Sequence, residues 1–303
     1  MTAVVYAGFD LGGTQVKFGL IDDGGMILFK DKAPTPPSIR ELLLLLGAQW
    51  KELEKRAPRP IASAGFGIPG IYNIQRKRIL QSPNYADLDD FDLYPAIAEH
   101  IPVPFLVEND ANVAAFGEWK YGAGRDVSSL VFLTIGTGIG GGIVLGDKLW
   151  RGSCGYAAEI GHVVVNPSGA LCNCGIRGCL ETEASAPAIV RKYQALAGNK
   201  IPITTEDIYY RARDGEPAAR EAFAQAGAFL GIGLGMLINL LNPEKILLGG
   251  GVMTTGEFLL GPAVEEARKR SYPATFACCR IERASLGNDA GLIGAAAWGS
   301  ENL

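Results

Sequence analysis

The chain has 303 residues, 48% apolar and 20% charged, with a net charge of −4. That length suits two globular domains of unequal size better than one small core. The acidic balance excludes the basic face a nucleic-acid-binding protein needs, and the longest leucine run, 42–46, falls far short of a bilayer span, so no nucleic-acid or membrane partner is expected.

The opening residues reach Asp10 without a basic stretch and do not read as a signal peptide. A β-branched and aromatic run predicts a strand over 4–10, then a turn at Leu11-Gly12-Gly13-Thr14, a strand over 16–21, a turn at Asp22-Asp23-Gly24-Gly25 and a strand over 26–30. Together these form a β-meander with a Gly-rich first turn. Ser38, with Glu41 three residues on, has capping-box spacing for a helix running to about Arg56. A strand over 61–68 ends at Pro69-Gly70, a strand spans 105–107, and a helix over 111–120 follows Asn109-Asp110. Near residue 130 the opening pattern returns as a strand over 130–135, a glycine turn over 136–142 and a strand over 143–145. The repeat predicts two related α/β halves with a cleft between them, a place where ligands tend to bind. Residues 184–242 read as mostly helical, including an Ala/Gly-rich helix over 218–241. A strand over 246–252 enters a third glycine turn, Gly249-Gly250-Gly251, and a final short helix runs through Trp298.

Three glycine turns after apolar strands point to phosphate binding, because glycine lets backbone N–H groups close around an anion. None ends in Gly-Lys-Ser/Thr, so this is not a P-loop. Asp10, just before the first turn, is placed to hold Mg²⁺. At a strand–helix junction, Asn109 or Asp110 needs no role beyond capping; a carboxylate there is also kept ionised by the helix dipole and can take a proton from an attacking hydroxyl. His162, Cys172, Cys174 and Cys179 supply one imidazole and three thiolates, the donor set of a closed, structural zinc site. The alternative, three small buried hydrophobes, fits poorly with three cysteines inside eight residues and glycines at 175 and 178. Glu159 and Glu181 flank this loop and suit vicinal hydroxyls, although alone each reads as a solvated surface residue. Six cysteines in a chain of this length form no disulfide framework, which places the protein in a reducing, cytoplasmic compartment.

The sequence resembles the ROK family (repressors, open reading frames and kinases) of sugar kinases. The residues that carry this are Asp10-Leu11-Gly12-Gly13-Thr14, Gly67-Ile68-Pro69-Gly70, Glu108-Asn109-Asp110-Ala111-Asn112, Gly136-Thr137-Gly138-Ile139-Gly140-Gly141-Gly142 and the stretch from Glu159-Ile160-Gly161-His162 through Cys172-Asn173-Cys174-Gly175 to Gly178-Cys179-Leu180-Glu181. The resemblance implies an actin-like ATPase (ribonuclease H-like) fold of two α/β domains. The small domain spans 1–112 and is completed by a C-terminal helix over 289–303; the large domain spans 113–288 and carries the zinc loop. It implies an ATP- and Mg²⁺-dependent hexose kinase with Asp110 as base. Asn109, Glu159, His162 and Glu181 match the sugar ligands, with Gly67 and Gly70 beside the sugar. Gly12, Gly13, Thr14, Thr137 and Gly138 match the phosphate turns, and Gly250 lies near the adenosine. The zinc motif and Ser82-Pro83-Asn84, which adds Asn84 to the sugar site, look most like bacterial glucokinases. N-acetylhexosamine, fructose and mannose kinases of the family are the alternatives, and a sugar-responsive regulator is the reading from another class. Gln15 departs from the family's usual Lys or Asn. A homodimer or homotetramer is implied.

Overall fold

The computed structural model describes residues 4–81 and 90–301. In chain order the elements are β1 (Val5–Leu11), β2 (Gln15–Asp22), β3 (Ile27–Pro34), α1 (Ile39–Arg56), β4 (Ile61–Ile68), β5 (Ile71–Asn73), β6 (Arg78–Gln81), β7 (Phe91–Asp92), α2 (Leu93–Ala98), β8 (Phe105–Asn109) and α3 (Asp110–Tyr121). There follow β9 (Ser129–Ile135), β10 (Ile139–Leu145), α4 (Leu180–Ala184), α5 (Ala186–Ala197), α6 (Thr205–Arg213), α7 (Pro217–Leu241), β11 (Lys245–Gly249), α8 (Glu257–Arg270), α9 (Pro273–Ala277), β12 (Arg280–Arg283) and α10 (Ala290–Gly299). The chain divides into two compact units. The first holds Met1–Asp126, Gly142–Ala158 and Leu286–Leu303, and the second Val127–Gly141 and Glu159–Ser285.

The first unit is built on a sheet of order β3-β2-β1-β4-β8. The expected meander is present, β1–β2 and β2–β3 pairing antiparallel, whereas β1–β4 and β4–β8 are parallel. Phe9 and Phe66 stack across neighbouring strands at 4.7 Å between ring centroids. Leu42, Leu46, Trp50 and Leu53 of α1 join this core. Ser38 Oγ accepts from Glu41 N at 3.4 Å, so the helix starts where the spacing predicts. α10 packs on β1, β4 and α3 without side chains intervening. A Cβ on Gly65 would lie 1.7 Å from Ala295 O, and one on Gly294 would lie 1.7 Å from Val113 O. Only glycine permits that approach.

The second unit is built on a sheet of order β10-β9-β11-β12, with β9–β11 and β11–β12 parallel. Its main helical seam is α7 against α8, where a Cβ on Gly227 would meet Leu259 O at 2.7 Å and one on Gly231 would meet Ala263 O at 2.5 Å. Among the described residues, α7 is the one helix long and apolar enough to cross a bilayer, a candidate that the search for leucine runs passed over; half of its apolar stretch is buried, which is how a core helix behaves.

Several element boundaries differ from the sequence reading, among them the end of the second glycine turn. The glycine turn expected over 136–142 closes by Gly138, and Ile139–Leu145 is strand. Gly142 serves the strand because a Cβ there would stand 2.4 Å from the Ala115 Cβ. The strand from Ile246 runs into the Gly249-Gly250-Gly251 turn as expected: β11 ends at Gly249, and a 3₁₀ turn over Gly251–Thr255 follows.

Candidate functional site

In the first unit, parallel pairing aligns the carboxyl ends of β1, β4 and β8. Asp10 pairs with Gly67, Gly67 with Glu108, and Ile68 with Asn109. This end of a parallel sheet is where α/β proteins hold ligands. Asn109 is the N-cap of α3: its Oδ1 accepts from Ala111 N at 2.9 Å and Asn112 N at 3.1 Å, and its Nδ2 donates to Gly70 O at 3.2 Å. Capping therefore falls to Asn109, which also ties the Gly67–Gly70 segment to the helix. Asp110 is the first helical residue, and its Oδ1 accepts from Ala111 N at 2.9 Å. The positive end of α3 stabilises negative charge there. A Cβ on Gly67 would lie 3.4 Å from Asp110 Cα, so the glycine leaves space beside the carboxylate.

Asp10 Oδ2 accepts from Lys17 Nζ at 3.1 Å. A Cβ on Gly291 would stand 2.7 Å from the same carboxyl, making a cradle only glycine allows. In the first turn, Thr35 N donates to Thr14 O at 3.0 Å and Thr35 Oγ1 to Gly12 O at 2.6 Å. The carbonyls of the Gly12-Gly13-Thr14 turn are thus drawn toward β3. Asn84 lies outside the described residues.

The residue that sequence reasoning passed over here is Glu108. It is fully buried, and its Oε1 accepts from Asn109 N at 2.9 Å and Asn112 Nδ2 at 3.0 Å. Its Oε2 is 3.5 Å from Arg151 Nη1, and the Arg151 guanidinium lies over the Trp298 ring of α10. Burial pushes the Glu108 carboxyl above the usual carboxylate range, against the pull of these hydrogen bonds and of Arg151. The native state then binds more protons than the unfolded chain between the two pKa values, so the contribution of Glu108 to stability falls as pH rises. Glu108→Gln keeps the acceptor for Asn109 and Asn112 but cannot titrate. The melting-temperature advantage of wild type over this variant is expected to shrink as pH rises above the ordinary carboxylate range. A gap independent of pH would show that Glu108 titrates as an ordinary carboxylate.

In the second unit, His162, Cys172, Cys174 and Cys179 each offer a ligand atom, all within 4.8 Å of one another. Cys172 Sγ is 3.6 Å from His162 Nδ1, and Cys174 Sγ is 3.6 Å from Cys179 Sγ. A tetrahedral ion with Zn–S of about 2.3 Å and Zn–N of about 2.0 Å needs S···S of about 3.8 Å and S···N of about 3.5 Å. The ligand set therefore fits zinc. Gly178, at φ +73°, is obligatory in this loop, since a Cβ would fall 1.5 Å from Asn166 O. His162 directs Nδ1 to the cysteines, and its Nε2 lies 4.0 Å from Glu159 Oε2. Burial pushes the Glu159 carboxyl up; His162 opposes this and Glu181 adds to it.

The same unit carries the remaining glycine turns. Gly249 pairs with Thr134 in the β11–β9 ladder. Gly250 adopts φ +88°, where a Cβ would lie 2.4 Å from Ile135 O, which seats the third turn on the end of β9 beside Gly136 and Thr137. A cavity of about 460 Å³ opens there, lined by Gly136, Thr137, Gly251 and Thr255 and walled by Thr205 and Tyr209 of α6. Nothing in the α6 sequence marks it as a site wall, because the helix reaches the turns only through the tertiary fold.

A sequence model of the ROK family matches residues 6–302. The chain is 34% identical over 306 residues to the glucokinase of Streptomyces coelicolor, covering 95% of each. It is 35% identical over 308 residues to the glucokinase of Thermotoga maritima, covering 98% of this chain and 97% of that one. Its fold matches the crystal structure of a ROK family glucokinase from Streptomyces griseus in complex with glucose and AMPPNP at a TM-score of 0.86 and 33% identity, over 98% of this chain and 100% of the other. The actin-like ATPase fold expected from the motifs is the fold observed, and the chain belongs to the ROK family.

Proposed function

We propose that the protein is an ATP-dependent hexose kinase that phosphorylates the 6-hydroxyl of glucose. The observation that carries this reading is the near full-length match to a structure holding glucose and AMPPNP, joined to a chain that keeps the carboxylate, glycine turns and cysteine loop such chemistry needs. Asp110 acts as the base. At the first residue of α3, where the helix dipole favours negative charge, it accepts the hydroxyl proton as the oxygen attacks the γ-phosphorus and the bond to the departing ADP breaks. Asn109, through Gly70, fixes the wall of the sugar site next to that base. Glu159 and Glu181 orient the ring by accepting hydrogen bonds from its hydroxyls, and His162, whose Nδ1 faces the cysteines, donates one from Nε2–H. The turns at Gly12-Gly13-Thr14 and Thr137-Gly138 hold the phosphates through backbone N–H groups, and the cavity beside Gly250 takes the nucleoside.

Mg²⁺ supplies neutralisation of phosphate charge, and Asp10 is the carboxylate placed to hold it; one or two carboxylates plus phosphates make an ordinary Mg²⁺ site. Zinc on His162, Cys172, Cys174 and Cys179 is structural, since four protein ligands leave no open position. The free thiols suit a reducing cytoplasm. A coupled ADP-release assay with MgATP tests the reading against glucose, mannose, fructose, N-acetylglucosamine and N-acetylmannosamine. Glucose is expected to give the highest kcat/KM by at least about tenfold, a margin that hydrogen-bonding sites reach readily. Silence with every sugar would sink the proposal, and preference for an acetamido sugar would replace its substrate.

A further inference from the structure

The turn at residues 136–139 is held by the segment of chain that leaves the cysteine loop. Ala186 N, at the start of α5, donates to Gly136 O at 2.9 Å. Ile139 N donates to Glu181 Oε2, in the first turn of α4, also at 2.9 Å. The carboxylate sits so close to the turn that a Cβ on Gly138 would stand 2.5 Å from Glu181 Oε2. The two oxygens of Glu181 face different ways: Oε2 meets the turn, and Oε1 lies on the loop side, 4.0 Å from Cys172 Sγ. On the other side of the turn, a Cβ on Gly161 would stand 2.1 Å from Ile139 O, so the 3₁₀ turn between Glu159 and His162 packs directly on the same peptide.

One carboxylate therefore bonds the turn read as phosphate-binding and belongs to the set read as sugar-binding. We propose that Glu181 is a positioning residue for the nucleotide in addition to being a sugar ligand. Its Oε2 fixes the Ile139 amide and thereby the direction of the N–H groups of Thr137 and Gly138. A sugar hydroxyl bonded to Oε1 immobilises that carboxylate, so sugar and nucleotide bind with positive coupling through a single side chain. The bond is charge-assisted and short of solvent, which makes it a strong one among hydrogen bonds. Ordering of a shared group by one ligand lowers the cost of binding the other. A second effect opposes this one, because a carboxylate beside phosphate repels it. The sign of the measured change tells which of the two dominates.

The inference rests on the sugar-kinase reading, and its test uses nucleotide alone so that the two can fail separately. MgADP is titrated calorimetrically, without sugar, into wild type, Glu181→Ala, Glu181→Gln and Glu159→Ala, each checked for a wild-type melting temperature. Glu181→Ala is expected to weaken ADP binding about tenfold, the usual cost of a charge-assisted bond. Glu181→Gln, which keeps an acceptor for Ile139 N, and Glu159→Ala, whose carboxylate faces His162 and not the turn, are expected to stay within about twofold. Unchanged or tighter ADP binding by Glu181→Ala overturns the proposal. Should that variant fail to fold, wild type and Glu181→Gln decide: saturating glucose is expected to tighten ADP binding by wild type at least about fivefold, and no tightening, or a tenfold loss of ADP affinity in Glu181→Gln, overturns the proposal. Failure of wild type to bind glucose at all would remove the sugar-kinase reading while leaving the nucleotide comparison intact.

Discussion

Asp110→Asn is expected to fold and to bind glucose within a few-fold of wild type, yet to lose between about 10² and about 10⁴ in kcat. The two side chains have the same shape, and the asparagine oxygen can still accept from Ala111 N as Asp110 Oδ1 does at 2.9 Å. The cap of α3 is unaffected because Asn109 provides it. What the amide cannot do is take up a proton, so the loss falls on turnover and not on KM. In free-energy terms this is roughly 3–5 kcal/mol of lost transition-state stabilisation. Single-turnover kinetics with glucose and MgATP separate the two quantities. A variant with kcat near wild type would remove Asp110 from the role of base and leave it as a first-turn helix residue.

The next largest effect is expected from the cysteine loop. Cys174 is the exposed member of the four-ligand cluster, and Cys174→Ser, or exhaustive chelation, should lower the melting temperature by on the order of 10 °C. Glucose affinity should fall with it, by about tenfold, because a zinc ion on these four ligands would fix the loop. Apart from the cluster the loop is held by backbone hydrogen bonds, among them Val165 N and Asn166 N to Gly178 O at 2.9 and 3.1 Å, Gly178 N to Ala170 O at 2.9 Å and Cys172 N to Ile176 O at 2.8 Å, so the effect is a loosening of the loop and not its unfolding. Glu159 and Glu181 stand at its two ends and lose their fixed separation when it loosens. Differential scanning calorimetry and glucose titration on zinc-loaded and stripped protein check both halves. Stripped protein with unchanged stability, or purified protein that holds no zinc by metal analysis, would refute the account.

Much of this arrangement was legible in the residues because the signals are local. The meander follows from alternating β-branched residues and glycine turns, and the start of α1 from Ser38. The His–Cys cluster follows from cysteine spacing, and the Asn109-Asp110 junction from a strand running into a helix. What could not be read depends on partners far apart in the chain. Arg151 reaches Glu108 across 43 residues, and no pattern around either predicts the pair. Glycine misleads in the second half: Gly140, Gly141 and Gly142 read as turn from their low β-propensity, yet they are strand. Gly142, the last of them, is needed small because Ala115 lies against it. The α6 wall of the cavity beside Gly136 and Thr137 belongs to the same class, since Thr205 and Tyr209 look like ordinary helix residues.

The packing of α10 against Gly65, with Ala295 O where a side chain would be, has a consequence for biosynthesis. α10 fills a slot in a sheet whose strands β1 and β4 are made before the second unit, while α10 itself is made after it. On a ribosome, β1 and β4 must wait, with one apolar face uncovered, until the whole of the intervening second unit has been translated. The second unit has only a short early piece, Val127–Gly141, to recover before its own long run is made. The order of maturation is therefore the reverse of the order of synthesis: the later-made unit can close first, and the earlier-made one closes last. The nascent chain is most exposed to aggregation in that interval, when chaperones would have the greatest effect on its yield.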